Sequence, residues 1–138
     1  MNSDSYTLDY RSDLDIVFLR WLRPDTLPEA QESYRAALTL ALPHGCPNWL
    51  LDSRRAGPID LVETAWLTST FFPEAVACFA PRRLRLGVFS SAARREQAET
   101  DAVVAPVVAA AIASTQPYEV ALFLLESEAV NWLRGLPL

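Results

Sequence analysis

The chain has 138 residues, is 51% apolar and 21% charged, and carries a net charge of -5. That length suits one domain around a single core, and the composition is globular rather than disordered. The negative balance argues against general nucleic-acid binding. All twelve basic residues are Arg, so chemistry that needs a lysine, such as a Schiff base or a P-loop, is excluded.

Residues 1–5 read as a loose polar tail and not as a secretory signal, and no apolar run nears the roughly 20 residues of a membrane helix, so a cytoplasmic location without integral membrane association is expected. Tyr6 to Tyr10 alternates apolar and polar residues as a half-buried strand does. Ile16 to Leu22, rich in β-branched and aromatic residues, comes after a short polar link, and the two predict an antiparallel hairpin. Thr26-Leu27-Pro28-Glu29 is a capping box opening a helix to about Leu42, with Leu27, Ala30, Tyr34, Ala37, Leu38 and Ala41 on one face. Pro43-His44-Gly45 ends it.

Asn48 to Arg55, NWLLDSRR, organises the chain. Its apolar run Trp49-Leu50-Leu51 stops at Asp52, as a buried parallel strand does when it delivers polar groups to the carboxyl edge of a sheet. A second helix is expected from Asp60 to Phe72-Pro73, with a short helical piece over Glu74 to Phe79. Leu84 to Phe89 is the next strand. Ala92 to Thr115 is helical with a break or kink at Pro106. Tyr118 to Leu125 is the last strand, and Ser127 is expected to cap a final helix through Arg134 that Gly135 stops. This order predicts an α/β fold: a mostly parallel sheet of four to five strands, an N-terminal antiparallel hairpin strand, right-handed crossovers and helices on both faces.

The opening hairpin, the WLLDSR strand end, the Trp66 helix after it, and the closing YEVALF strand followed by EAVNWL resemble the STAS-like superfamily of sporulation anti-anti-sigma factors. Within it, the likeness is to small bacterial STAS/SEC14-type proteins of uncharacterised role. The resemblance implies that fold and a binding or regulatory role. In those antagonists the switch is a serine in an Asp-Ser pair at a helix start. Asp60 falls near that Asp, but Leu61 stands where the serine would be, so the phospho-switch is missing.

The carboxyl edge gathers Asp52, Ser53, Arg54 and Arg55 from one strand, and Ser90, Ser91, Arg94 and Arg95 from the next. These guanidinium and hydroxyl groups are candidates for holding a carboxylate or phosphate. The structural alternative is that Asp52 pairs with an arginine while the other charges are solvated. His44 and Cys46 are either a nucleophile pair or a turn histidine beside a semi-buried thiol, and Cys46 and Cys78 are read as free thiols. Asp60 and Glu63, one turn apart, are either an acid/base pair or simply favourable charges at a helix start.

Trp66, Phe71 and Phe72 are candidates for a partner-binding surface, with core packing or the lining of an apolar pocket as the other readings. None of the four glycines forms a phosphate-cradling loop, and no metal or cofactor is expected. The preferred expectation is a non-enzymatic binding or regulatory module acting through protein contact, with the partner unidentified and a homodimer plausible. The alternatives are a small-ligand or lipid carrier with an apolar pocket, and a small hydrolase using Asp52 or the His44/Cys46 loop.

Overall fold

The sheet begins with the expected hairpin. In the computed structural model, which describes residues 2–137 and leaves Met1 and Leu138 outside the described residues, β1 (Tyr6–Arg11) pairs antiparallel with β2 (Ile16–Trp21) in the register Tyr6↔Trp21 to Arg11↔Ile16. Residues 2–5, expected to be loose, are tied to it instead. Asn2 bridges Thr7, the Ser3 N–H donates to the Tyr6 carbonyl at 2.8 Å, and the carbonyl of buried Ser5 accepts from Leu22. From β2 onward the partners are parallel: β3 (Asn48–Asp52), β4 (Arg85–Phe89) and β5 (Glu119–Phe123) continue the sheet in the spatial order β1-β2-β3-β4-β5.

Because parallel strands are added in one direction only, right-handed crossovers place every connecting helix on the same face. That face carries α1 (Leu27–Ala41), α2 (Leu61–Trp66), α3 (Phe72–Phe79), α4 (Ala92–Thr100) and α5 (Val104–Ala111). α6 (Glu126–Leu133), which comes after the last strand, packs on the other face against β3, β4 and β5. Side-chain alternation divides the core accordingly. Val17, Leu19, Trp49, Leu51 and Leu86 point to the crossover helices, while Ile16, Phe18, Leu50 and Phe89 point to α6.

The capping box of α1 is made in both directions: Glu29 N–H donates to Thr26 Oγ1 at 3.3 Å, and Thr26 N–H to Glu29 Oε1 at 2.9 Å. The face of α1 buries Ala30, Tyr34, Ala37, Leu38 and Ala41 as expected, together with Ser33, whose hydroxyl accepts from Trp21 Nε1 at 3.1 Å.

Three boundaries differ from expectation. The helix after β3 does not end at Phe72-Pro73. A π-helical turn over Leu67–Phe71 joins α2 to α3. Pro73 cannot donate to the carbonyl four residues back, that of Ser69, and the wider turn around Ser69 lets the helix pass through the proline. The break between α4 and α5 precedes Pro106, because Asp101 accepts from Val103 N–H and Val104 N–H, each at 2.9 Å, and starts α5 there. Pro106 then lies in the first turn, where a missing N–H costs nothing. Ser127 is inside α6 rather than at its cap, a position Leu125 takes without a side-chain hydrogen bond. No helix among the described residues is long and apolar enough to cross a membrane.

Candidate functional site

Successive residues leaving a strand face opposite sides of the sheet, so the strand-end residues expected to form one anion site are divided between two places. Asp52 goes to the α6 side. Its buried carboxylate accepts from Arg20 Nη1 at 2.9 Å and, in a two-point contact, from Arg54 Nε at 3.0 Å and Nη2 at 2.8 Å. Arg20 also pairs with Glu126 in the first turn of α6, and the Arg54 guanidinium lies over the Phe89 ring at 4.1 Å. Burial pushes the Asp52 carboxyl up, but the hydrogen bonds from Arg54 and Arg20 outweigh it and hold it below its ordinary range. This cluster is satisfied internally, as the structural alternative for Asp52 anticipates. Arg55 is exposed beside it.

Ser53, Ser90 and Arg94 go to the other side, into a cavity of about 140 Å³ between the sheet and the crossover helices. The register sets its floor: Leu51, Val88 and Leu122 lie side by side, with Leu86 and Val120 in the row behind. Ser53 and Ser90 come next at the strand ends, so the floor runs from apolar to polar along the strand direction. Tyr34, Glu63, Leu67 and Phe72 line it from α1, α2 and the helix continuing into α3. Arg94, Ala98, Val108 and Ala111 line it from α4 and α5. α4 buries none of its own residues in the core. It is held off the sheet by the 53–59 loop, with Arg94 Nη1 donating to the Gly57 carbonyl and Gln97 Oε1 accepting from Ile59 N–H at 2.8 Å. That stand-off keeps the space open. Ser91 caps α4 by accepting from Arg94 N–H at 3.2 Å, and Arg95 is exposed and pairs with Glu99.

The polar groups here are poorly compensated. Tyr34 is 5% exposed and lines the cavity, and its hydroxyl, which keeps some accessible surface, makes no hydrogen bond among the described residues. Burial pushes that hydroxyl well above its usual value. Burial, assisted by the charges of Asp25 and Asp60, pushes the Glu63 carboxyl up to about 7, while Arg94 opposes the shift. Burial also raises Asp25 and lowers Arg94. Among the described residues, Glu63 and Arg94 form no ion pair with each other.

Glu63 is thus more than a helix-start charge. Asp60 does the capping, its Oδ1 accepting from Val62 and Glu63 N–H at 2.8 and 3.0 Å. Reading Glu63 beside Asp60 as a local pair missed Tyr34 and Asp25, which reach the same space from distant parts of the chain. No sequence spacing signals that meeting.

The remaining candidates lie elsewhere. Phe71 and Phe72, expected to face a partner, are buried, because the π turn rotates both inward onto Tyr34 and Trp49. Trp66 is half-buried against Phe71 and Tyr34. His44 stacks on Tyr10 with ring centroids 3.9 Å apart and is exposed. Cys46 is fully buried, donates to the Asp15 carbonyl at 3.3 Å, and is pushed by burial up to about 11, which leaves it a poor nucleophile. The two therefore do not form the pair their spacing allows. Cys78 is exposed and free. Among the described residues no group of His, Cys, Asp and Glu could hold a metal ion.

Comparison with protein-family models, with curated proteins and with solved structures finds no match for this chain.

Proposed function

We propose that this chain is a small-molecule binding module whose ligand occupies the cavity at the carboxyl ends of β3 and β4. The observation that carries the proposal is a largely apolar cavity lined together by Tyr34, Glu63 and Arg94, with no hydrogen bond to the Tyr34 hydroxyl and no ion pair between Glu63 and Arg94 among the described residues. A mostly apolar pocket with a few convergent polar groups is the usual form of a ligand site. Its position agrees with the general rule that parallel sheets bind ligands beyond the carboxyl ends of their strands. The resemblance of the sequence to STAS/SEC14-type proteins supports a binding or regulatory role, and the ligand-carrier reading fits the cavity better than the protein-contact reading fits the buried Phe71 and Phe72.

Thermal unfolding against a panel of small amphiphiles tests this. At least one should stabilise the chain, and Ala98→Phe, which fills the space from α4, should abolish the shift while keeping the far-ultraviolet spectrum. Stabilisation that survives Ala98→Phe unchanged would place the ligand elsewhere.

A second reading, contact with a further copy of the chain, is favoured by one observation. Apolar side chains stay exposed on α5 and along the β5 edge, among them Val107 and Leu122. The opposite edge, β1, carries exposed Asp9 and Arg11, the charges that discourage strand pairing.

A further inference from the structure

Granted the ligand-binding reading, on which this inference rests, the chemistry at the mouth of the cavity narrows the class of ligand. Asp25 and Glu63 line the inner cavity and also a second recess of about 270 Å³ outside it, walled by Pro24, Thr26, Ile59 and Asp60. Asp25 and Glu63, with Ala56 and Ile59, line both spaces, and this shared border is the neck between them. One guanidinium, Arg94, shares the inner cavity. One of its nitrogens is already committed to the Gly57 carbonyl, and among the described residues it pairs with neither carboxylate.

When both acids are ionised, the neck holds two negative charges against one positive. Asp25 acts on Glu63 more strongly than Arg94 does. The Tyr34 side chain is more than nine-tenths buried, and its hydroxyl, which makes no hydrogen bond among the described residues, adds a neutral acceptor beside Glu63. Behind the neck the walls are apolar: Leu51, Leu86, Val88 and Phe72. The cavity is open to solvent at one side, and its volume of about 140 Å³ is close to that of the cavities of about 150 Å³ known to take a benzene ring.

We infer that the ligand is an amphipathic amine, its ammonium held at the neck by Asp25, Glu63 and the Tyr34 hydroxyl and its apolar body, about one aromatic ring in size, in the inner cavity. One added positive charge neutralises the site. An added carboxylate would meet Arg94 only in the presence of two like charges, at a desolvated position where such repulsion is weakly screened.

Three probes of one shape separate the alternatives: phenethylamine, propylbenzene and 3-phenylpropionate, titrated calorimetrically into the intact chain at about pH 8, where the Glu63 carboxyl is mostly ionised. Phenethylamine should bind at least about tenfold more tightly than either of the others, the margin of a charge-assisted hydrogen bond. Glu63→Gln, and independently Asp25→Asn, should each weaken phenethylamine by about tenfold and leave propylbenzene within about twofold. Tighter binding of propylbenzene or 3-phenylpropionate overturns the amine assignment while sustaining the cavity as a ligand site. Phenethylamine binding that is insensitive to both substitutions also overturns it. If none of the three binds while the amphiphile panel still stabilises the chain in a way that Ala98→Phe abolishes, the amine assignment alone fails; if the panel fails as well, the ligand-binding reading fails with it.

Discussion

Asp52, at the end of β3, and Glu63, in the first turn of α2, are driven in opposite directions by their environments. Asp52 receives three donors from two guanidiniums and stays ionised. Glu63 has no such partner among the described residues, and burial holds its proton up to about pH 7. A carboxyl whose folded value is raised binds more protons folded than unfolded across the interval, so its stabilising contribution is complete below about pH 4.5 and is lost as pH rises through about 7. Asp25, Asp60, Arg94 and Tyr34 are the groups that act on it. Urea unfolding of Glu63→Gln between those limits should show a flatter pH dependence than the parent. At about pH 8 the variant should be more stable by roughly 1–2 kcal/mol, the shift being discounted for the partial exposure of Glu63. Equal slopes in the two proteins would mean that the carboxyl is not desolvated. His44 and Cys46 differ for the same reason. Close in sequence, they are separated by burial, one stacked at the surface and the other inside.

At the scale of elements, each departure from the expected boundaries has a local cause that shapes the site. The π turn at Leu67–Phe71 carries the helix through Pro73 and turns Phe71 and Phe72 into the core, beside the cavity instead of toward solvent. The early break at Asp101 lets α5 close one side of the cavity through Val108 and Ala111 while α4 stands off the sheet. On the other face, α6 docks where β4 has no side chain. A Cβ at Gly87 would meet Leu133 Cδ1 and Cγ at 3.2 Å. Gly87→Val is therefore expected to push α6 outward and cost about 1–3 kcal/mol by overpacking. Denaturant unfolding measures this directly, and a neutral effect would show that Leu133 yields freely. Ligand affinity in the same variant should hold, because α6 lies across the sheet from the cavity.

At the scale of the molecule, the two edges of the sheet differ in a way that bears on assembly. β1 exposes charge, whereas β5 and α5 expose Leu122 and Val107. If two copies meet there, sedimentation should give a dimer at protein concentrations on the order of 100 µM, and Val107→Glu should return it to monomer by placing a charge in the contact. A monomer throughout that range would leave the cavity as the functional surface. The α/β class, the hairpin, the parallel order and the capping of α1 were legible in the sequence, because alternation, 3.6-residue periodicity and turn chemistry act over a few neighbouring residues. So was the position of Asp52 to Arg55 at the carboxyl end of the central strand. Which face of the sheet each of those residues serves was not, since Asp52 and Ser53 part company at a single peptide bond and only the placement of α6 and the crossover helices says what lies on either side. The cavity was settled later still: Asp25, Tyr34, Glu63 and Arg94 come from four separate segments, and the distances among them exist only once one-way strand order has stacked those segments on a common face.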